Sequence, residues 1–386
     1  MRLAKSLEDA QAGLTKLEQM AESKLLDYNI TKTCAIVVGA KKARMHLKEE
    51  LSKNPLKLYN KDLATKKCDK YLGWYLNEEG VSKCSLSTIE RRKGNVTKSI
   101  FQIKSVIEDA RCGTIGGIST ALMIWERAVI PFLLYSSENW IWMSKEGWKV
   151  LSDLQNMFFR AVFSVAPTYP LAIMYFDTKT LSMKLRVMKK KLLFAFHVAN
   201  LPRNSLAYEV FMEMKNLCLP GLHKETMEFM AELGIGDMSS YTERSWKAEV
   251  NKKIEEQNYK DLMTEIKRYK KLSYDELSKE EFEVKSYLKE LKLTEARTMM
   301  RIRAKMVNTV KFNFKSDPQF TRENWKCSCK GEDSPIESQE HLQLCPIYED
   351  LRCKFDVDSD LGIVQYFDAV LQRRQEKEDE NLLIED

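Results

Sequence analysis

The sequence predicts a mainly α-helical protein with a small α/β element at the N-terminus and a small metal site near the C-terminus. Three observations predict this class. From about residue 86 onward, apolar residues recur every three or four positions, which is the period of amphipathic helices. The apolar, partly β-branched run Cys34–Val38 ends at Gly39, as a buried strand often does. Three cysteines and one histidine lie close together between residues 327 and 345.

The composition limits the class of protein. The chain has 386 residues, enough for two or three domains, and its 44% hydrophobic and 31% charged residues are typical of a globular protein with a charged surface. The formal net charge of +6 is too small by itself to indicate a polyanionic partner. Nine cysteines, odd in number and mostly scattered, do not form a disulfide framework, so we expect a reducing compartment.

Neither export nor membrane insertion is predicted. The N-terminus lacks the apolar core of a signal peptide, and no stretch reaches the roughly 20 apolar residues of a spanning helix. The best candidate, residues 118–135, is interrupted by Glu126, Arg127 and Pro131. We therefore expect a cytoplasmic or nuclear protein without a membrane partner.

The N-terminal region is predicted to combine one helix with short strands. Leucines and alanines from Leu3 to Leu25 repeat at spacings of four and three, and this helix should stop near residues 27–29. Two further strands are predicted at Lys57–Asn60 and Lys70–Leu76, between turn residues. The strand that pairs with Cys34–Val38 should lie either before Met1 or after Gly39.

The rest of the chain is predicted to be helical. Proline and glycine separate four candidate helices, at Ser87–Ala110, Ile118–Leu134, Lys149–Val165 and Ser182–Ala199. The charge-dense stretch from about Ser245 to Val310 predicts two or three long, solvated helices. The acidic segment 376–386 should fray.

The cysteine and histidine cluster has the composition of a structural zinc site. Its members are Cys327, Cys329, His341 and Cys345. Thiolate and imidazole ligands suit tetrahedral zinc, and the spacing of His341 and Cys345 puts both on one helix face. Four ligands leave no open position, so we expect one structural ion. The alternatives are four unrelated residues, or a site in which Cys353 replaces one ligand.

Several basic residues are candidate contacts to a phosphate backbone. The strongest run is Arg297, Arg301 and Arg303, which stands shortly before the cysteine cluster. Lys32, Arg160 and Lys189 complete the set of candidates. The alternative for each of them is an ordinary solvated face.

These segments together resemble a known family, the reverse transcriptases of non-LTR retrotransposons, and among them the Dong-like clade. Arg2–Gln11, Lys24–Thr33 and Val38-Gly39 resemble the palm segment that follows the catalytic Asp-Asp turn, with the Asn-x-x-Lys-[Ser/Thr] pattern matched at Asn29, Lys32 and Thr33. Lys70–Gly73 resembles the hairpin that holds the primer end. Trp125 through Arg160 is similar to the thumb, and the cluster with His341–Arg352 is similar to the zinc knuckle.

The resemblance implies an order of domains. That order is a palm remnant with a primer-grip-like hairpin over residues 1–85, a helical thumb over 86–200, a helical connector over 201–316, a zinc knuckle with a C-terminal helix over 317–375 and an acidic tail over 376–386. It implies RNA and DNA as partners, bound as template–primer or target. No small-molecule substrate is expected.

The resemblance also implies an incomplete polymerase. Polymerases of this kind use two metal ions held by paired carboxylates, and the family's Asp-Asp pair would lie just upstream of Met1. Asp9 and Asp27 do not supply a strand-hairpin pair, so we assign no catalytic residue and expect the chain alone to be inactive. Magnesium is expected only for a longer polymerase that carries the aspartates.

Two other interpretations stay open. The chain could be a retained, non-enzymatic nucleic-acid-binding or interaction protein derived from a retroelement. It could also be the product of a decayed element with a marginal fold.

Overall fold

Helices form most of the described chain, as the sequence predicts. The computed structural model describes residues 4, 6–109, 115–219, 221–269, 272–307, 326–327, 329 and 335–384. The helices are α1 Leu7–Ser23, α2 Lys41–Lys53, α3 Val81–Glu108, α4 Gly117–Ile124, α5 Ile130–Leu133, α6 Lys145–Phe163, α7 Leu171–Asp177, α8 Met183–Ala199, α9 Leu206–Asn216, α10 Leu222–Leu233, α11 Glu243–Ile266, α12 Tyr274–Leu277, α13 Tyr287–Glu290, α14 Leu293–Arg303, α15 Gln339–Leu344, α16 Glu349–Lys354 and α17 Asp360–Ile384. None of them combines the length and the apolar character that crossing a membrane demands.

Contacts group the chain into two compact units. Unit 1 comprises residues 1–95, 132–152 and 186–251, and unit 2 comprises residues 96–131, 153–185 and 252–386. The strands lie in unit 1, and the cysteine and histidine cluster lies in unit 2. The domain boundaries that the resemblance implies remain predictions.

The first helix ends earlier than the sequence predicts. Ser6 caps its start by accepting a hydrogen bond from the Asp9 backbone N–H at 3.2 Å. At the other end Leu25 adopts a positive φ of 53°, and the Leu26 N–H donates back to the Ala21 carbonyl. This left-handed turn stops the helix at Ser23, before the expected residues 27–29.

The N-terminal strands are shorter than predicted, and their pairing answers the question of the partner strand. The strands are β1 Cys34–Ala35, β2 Lys57–Leu58, β3 Lys61–Asp62, β4 Ala64–Thr65, β5 Cys68–Tyr71 and β6 Trp74–Asn77. β1 pairs in parallel with β4, which follows Gly39. The predicted strand over residues 34–38 was too long, because only its first two residues join this ladder.

Two predicted strands are hairpins instead. β2 pairs with β3 through Tyr59 and Asn60, and β5 pairs with β6 through Leu72 and Gly73. All four turn residues have positive φ, so both turns fit the two-residue type that matches strand twist. The single strands predicted at residues 57–60 and 70–76 are therefore wrong, whereas the resemblance had implied a hairpin near Lys70–Gly73.

The helix predicted at residues 118–134 contains a one-turn π segment over Trp125–Val129. The Ile130 N–H donates to the Trp125 carbonyl, five residues back. Pro131 lacks an N–H and cannot continue the α pattern, which accounts for a wider turn at this point. Within unit 2 the Trp125 ring stacks on Phe158 with centroids 4.2 Å apart.

Among the described residues of the charge-dense stretch after Ser245 there is one long helix, α11, so the prediction of two or three long helices was wrong in part. Residues 267–269 and 272–292 form short turns that buried side chains anchor, among them Leu277, Tyr287 and Leu288. Charged groups in this stretch pair internally rather than facing only water, as described below. The helix α17 runs to Ile384, so most of the predicted acidic tail is helical in this structure.

Candidate metal centre and basic residues

Two short segments supply the ligands of the cluster. Cys327 and Cys329 follow Lys326, which forms a bridge with Ile336, and the Cys327 N–H donates to the Pro335 carbonyl at 2.9 Å. His341 lies in the first turn of α15, and Cys345 directly follows that helix. Ser338 caps α15 by accepting from the His341 N–H at 3.2 Å.

The four ligand atoms converge closely enough that one ion could contact all of them. All of them lie within 4.8 Å of one another. The Sγ atoms of Cys327 and Cys345 are 3.7 Å apart, and Cys329 Sγ lies 3.6 Å from His341 Nε2. Zinc–sulfur bonds of about 2.3 Å and zinc–nitrogen bonds of about 2.05 Å at tetrahedral angles give separations of about 3.8 Å and 3.6 Å. A disulfide would bring two sulfurs to about 2.05 Å. The cluster can therefore hold one metal ion.

Burial disfavours thiolates here unless a cation compensates them. Burial raises the pKa of the Cys327 thiol to about 12, and it also raises the pKa of Cys345. A bound cation would stabilise the deprotonated thiols that serve as ligands. Cys353, the alternative ligand, is exposed and lies outside this group of described residues.

Hydrogen bonds fix the cluster to the helices of unit 2. Arg352 Nη1 donates to the Cys345 carbonyl at 2.7 Å, and the Tyr366 hydroxyl of α17 donates to the Leu342 carbonyl at 2.5 Å. Gln339 Nε2 donates to the Ile302 carbonyl of α14 at 2.9 Å. The segment from Gln339 to Cys345, which carries two of the ligands, is therefore packed against other parts of unit 2, and a change in the cluster should affect α14 and α17.

Two of the arginines predicted to contact nucleic acid are engaged inside unit 2. Arg303 holds Asp177 through two hydrogen bonds of 2.7 and 2.8 Å, and it also bonds Glu280. Arg297 donates to the Val162 carbonyl at 2.8 Å and pairs with Glu108 at 2.7 Å. Two nitrogens of Arg297 and all three of Arg303 donate to acceptors within unit 2, which leaves fewer donors for the phosphate contacts that the sequence predicts.

The other four predicted contacts occupy different settings, two of them in each unit. The Lys32 side chain is exposed. Arg160 is half-buried, donates to the Pro167 carbonyl at 3.3 Å, and has a buried Nε without a described partner. Lys189 is half-buried and interacts with other residues. Arg301 is half-buried and makes no hydrogen bond or ion pair with its side chain among the described residues.

Arg92 organises the β5–β6 hairpin, a role that the sequence did not indicate. It is 6% exposed and donates to the carbonyls of Gly73, Leu133 and Tyr135 at 2.7 to 2.9 Å. Its guanidinium carbon lies 5.7 Å from the centroid of the exposed Tyr135 ring. This arrangement fixes the hairpin turn beside Tyr135, where a side chain on Gly73 would come within 2.9 Å of that ring.

The hairpin therefore exposes aromatic, apolar and basic side chains at its turn and on its two faces, with Lys70 on the Tyr75 face and Tyr71 on the opposite one. We call these side chains together the hairpin surface. Its exposed members are Lys70, Tyr71, Leu72, Arg91 and Tyr135. Arg91 also lies over the Tyr75 ring at 5.7 Å. This surface could have been predicted from the run Lys70-Tyr71-Leu72 before Gly73, together with Arg91 in the following helix, α3.

Lys191, in the basic helix α8, is also buried rather than available to a ligand. It pairs with Glu225 and donates to the Trp140 carbonyl, and Glu225 accepts from the Trp142 N–H at 2.7 Å. This network lies within unit 1. This network explains why Lys191 is buried, although helical periodicity alone would place a lysine on a solvated face.

Comparisons of this chain with protein-family models, curated protein sequences and solved structures return no match.

Proposed function

We propose that this chain binds nucleic acid and carries one structural zinc ion, in the manner of the thumb, connector and zinc knuckle of a reverse transcriptase. The observation that carries the proposal is the convergence of Cys327, Cys329, His341 and Cys345, whose ligand atoms all lie within 4.8 Å of one another, with two pairs at the separations expected for tetrahedral zinc. The order of a hairpin, helices and a Cys/His cluster along the chain also agrees with the sequence resemblance. The palm and knuckle assignments rest on that resemblance.

Zinc suits this donor set better than other divalent ions. Thiolate and imidazole ligands in a four-coordinate arrangement favour zinc, whereas magnesium and calcium prefer oxygen ligands. Zinc would hold the loop of Cys327 and Cys329 against α15. With four protein ligands no position is left for water or substrate, so the ion would stabilise structure and would not take part in a reaction.

The hairpin surface supplies chemistry that nucleic acid can use. Aromatic side chains such as Tyr71 and Tyr135 can stack on bases, and Lys70 and Arg91 can contact phosphates. Arg92 is too buried for that role and acts by holding the hairpin turn in place. Beside the metal cluster, Leu344 is 78% exposed and offers a second apolar contact point.

We propose binding without polymerisation by this chain. The sequence contains no Asp-Asp pair, and neither Asp9 nor Asp27 supplies a strand-hairpin pair of carboxylates. Primer extension with this chain alone should therefore give no product above background. Metal-dependent incorporation of nucleotides would contradict the proposed absence of catalysis while leaving binding intact.

The binding function is tested by the salt dependence of affinity. We expect affinity for an RNA–DNA duplex to fall as salt rises, because phosphate contacts release counterions. The double variant Lys70→Ala/Arg91→Ala should bind more weakly and reduce the slope of log affinity against log salt by about 1.5 to 2. Fluorescence anisotropy with a labelled duplex and a labelled single-stranded RNA measures both quantities.

Lys247→Ala, which removes an exposed lysine on α11 away from the hairpin, is the matched control and should leave the slope within error. A flat salt dependence of the wild type would reject the nucleic-acid proposal. An unchanged slope in the double variant would reject the hairpin surface as the site of contact.

A further inference from the structure

An open apolar groove lies on α9 in unit 1, and neither the hairpin residues nor the metal ligands line it. Its volume is about 510 Å³. Its apolar walls include Phe194, Val198, Leu206, Val210, Met214 and Leu222. Leu206 is 75% exposed and Val210 is 45% exposed. Exposed apolar side chains that line one concave site indicate an interaction surface more strongly than the same residues scattered singly.

The local helix geometry explains why the groove is elongated. Ser205 caps α9 by accepting from the Tyr208 N–H, so the helix starts with its register fixed. Leu206, Val210 and Met214 are spaced four residues apart and therefore form one row about 12 Å long. Phe211 turns inward and packs with Ala195 and Val198 in the core. The row thus lies beside the core without being covered by the described residues.

Carboxylates follow the outer edge of this row. Glu209 and Glu213 are exposed, one helical turn apart, and lie next to Leu206 and Val210 on the helix surface. Neither side chain makes a hydrogen bond or ion pair with a described residue. Glu138, among the lining residues, pairs with Lys190 at 3.8 Å. The free edge is therefore acidic in a chain whose net charge is +6, which disfavours a polyanion at this place.

We propose that this groove binds one basic amphipathic helix of a partner protein. Apolar side chains at positions i, i+4 and i+7 of that helix enter the groove, as in other helix-in-groove complexes. Lysine or arginine side chains on its flank face Glu209 and Glu213. Charge complementarity decides the class of partner, because a row of unpaired carboxylates beside an apolar row attracts cations and repels nucleic acid and anionic lipid. The proposal does not rest on nucleic-acid binding elsewhere in the chain.

The test uses a designed probe with the full-length chain. The probe is a labelled helix-forming peptide of about four turns, with leucines at i, i+4 and i+7 and lysines on the flank. A matched peptide carries glutamates in place of the lysines. We expect the lysine peptide to bind five- to tenfold more tightly than the glutamate peptide, which is the scale of a few exposed ion pairs.

Two variants distinguish binding in the groove from nonspecific hydrophobic association. Val210→Asp should weaken the lysine peptide at least tenfold, because it places a charge in the apolar row, whereas Leu25→Asp, at a 96% exposed position that does not belong to α9, should not. Glu209→Lys/Glu213→Lys changes only exposed side chains and should reverse the preference between the two peptides. Circular dichroism verifies that each variant is folded.

Three results would overturn the proposal. The first is no binding of either peptide, and the second is equal binding of both peptides with no response to the charge reversal. The third is a dimer of the chain in light scattering that Val210→Asp dissociates, since the groove would then belong to a second copy.

Discussion

Replacing Cys329 with serine should release the metal and destabilise unit 2. Serine is close to cysteine in size, and Cys329 is only half-buried, so the change acts mainly through the lost ligand. Structural zinc contributes to folding directly, because the unfolded chain has no preformed site. We expect the zinc content to fall from about one ion per chain to near zero, and the stability of unit 2 to fall by roughly 3–5 kcal/mol.

The measurements are metal analysis of the purified chain and thermal unfolding with and without a chelator. A loss of this size should lower the unfolding temperature by roughly 10 °C. Treating the wild type with chelator should reproduce the effect of the variant, which ties the loss to the ion rather than to packing. Cys353→Ser, at an exposed thiol outside the cluster, is the control and should keep both metal and stability. A Cys329→Ser chain that retains one zinc would remove Cys329 from the ligand set.

The metal cluster could be predicted from sequence because its determinants are local. The ligands come as two close pairs, and the chemistry of thiols and imidazole limits what such pairs can do. Their spacing needed no knowledge of distant parts of the chain. The helices were predictable for the same reason, since a 3.6-residue period is visible within one segment.

The pairing of Arg297 and Arg303 with carboxylates could not be predicted, because their partners are distant in sequence. Arg303 and Asp177 are 126 residues apart, and Arg297 and Glu108 are 189 residues apart. A run of arginines without local acids looks like a phosphate-binding face until folding brings carboxylates to it. The hairpin turn at Leu72 and Gly73 could not be predicted for another reason. Leu-Gly is not one of the Asn-Gly or Asp-Gly pairs that indicate such a turn.

The ion network around Asp177 predicts the second large effect. The Asp177 side chain is fully buried and accepts from Arg303 and from the Tyr287 hydroxyl, the latter at 2.8 Å. Glu280 forms ion pairs with both Arg303 and Lys285. Burial lowers the pKa of Arg303, but the carboxylates of Asp177 and Glu280 outweigh it and raise that pKa, so the guanidinium stays charged. The network fixes the end of α7 to α14 through the irregular segment around residues 280–287.

Arg303→Met should lower the free energy of unfolding of unit 2 by roughly 3–5 kcal/mol, because it leaves the Asp177 carboxylate buried without its cation. Arg301→Met makes the same substitution two residues earlier on α14, where the arginine has no ion pair among the described residues, and should cost about 1 kcal/mol or less. Urea unfolding followed by circular dichroism, with zinc held constant, compares the two. The double variant Asp177→Leu/Arg303→Met should recover much of the loss, since replacing a whole buried pair costs less than removing one member. If Arg303→Met instead weakens nucleic-acid binding without a larger stability loss than Arg301→Met, the guanidinium belongs to a binding surface, and the internal assignment fails.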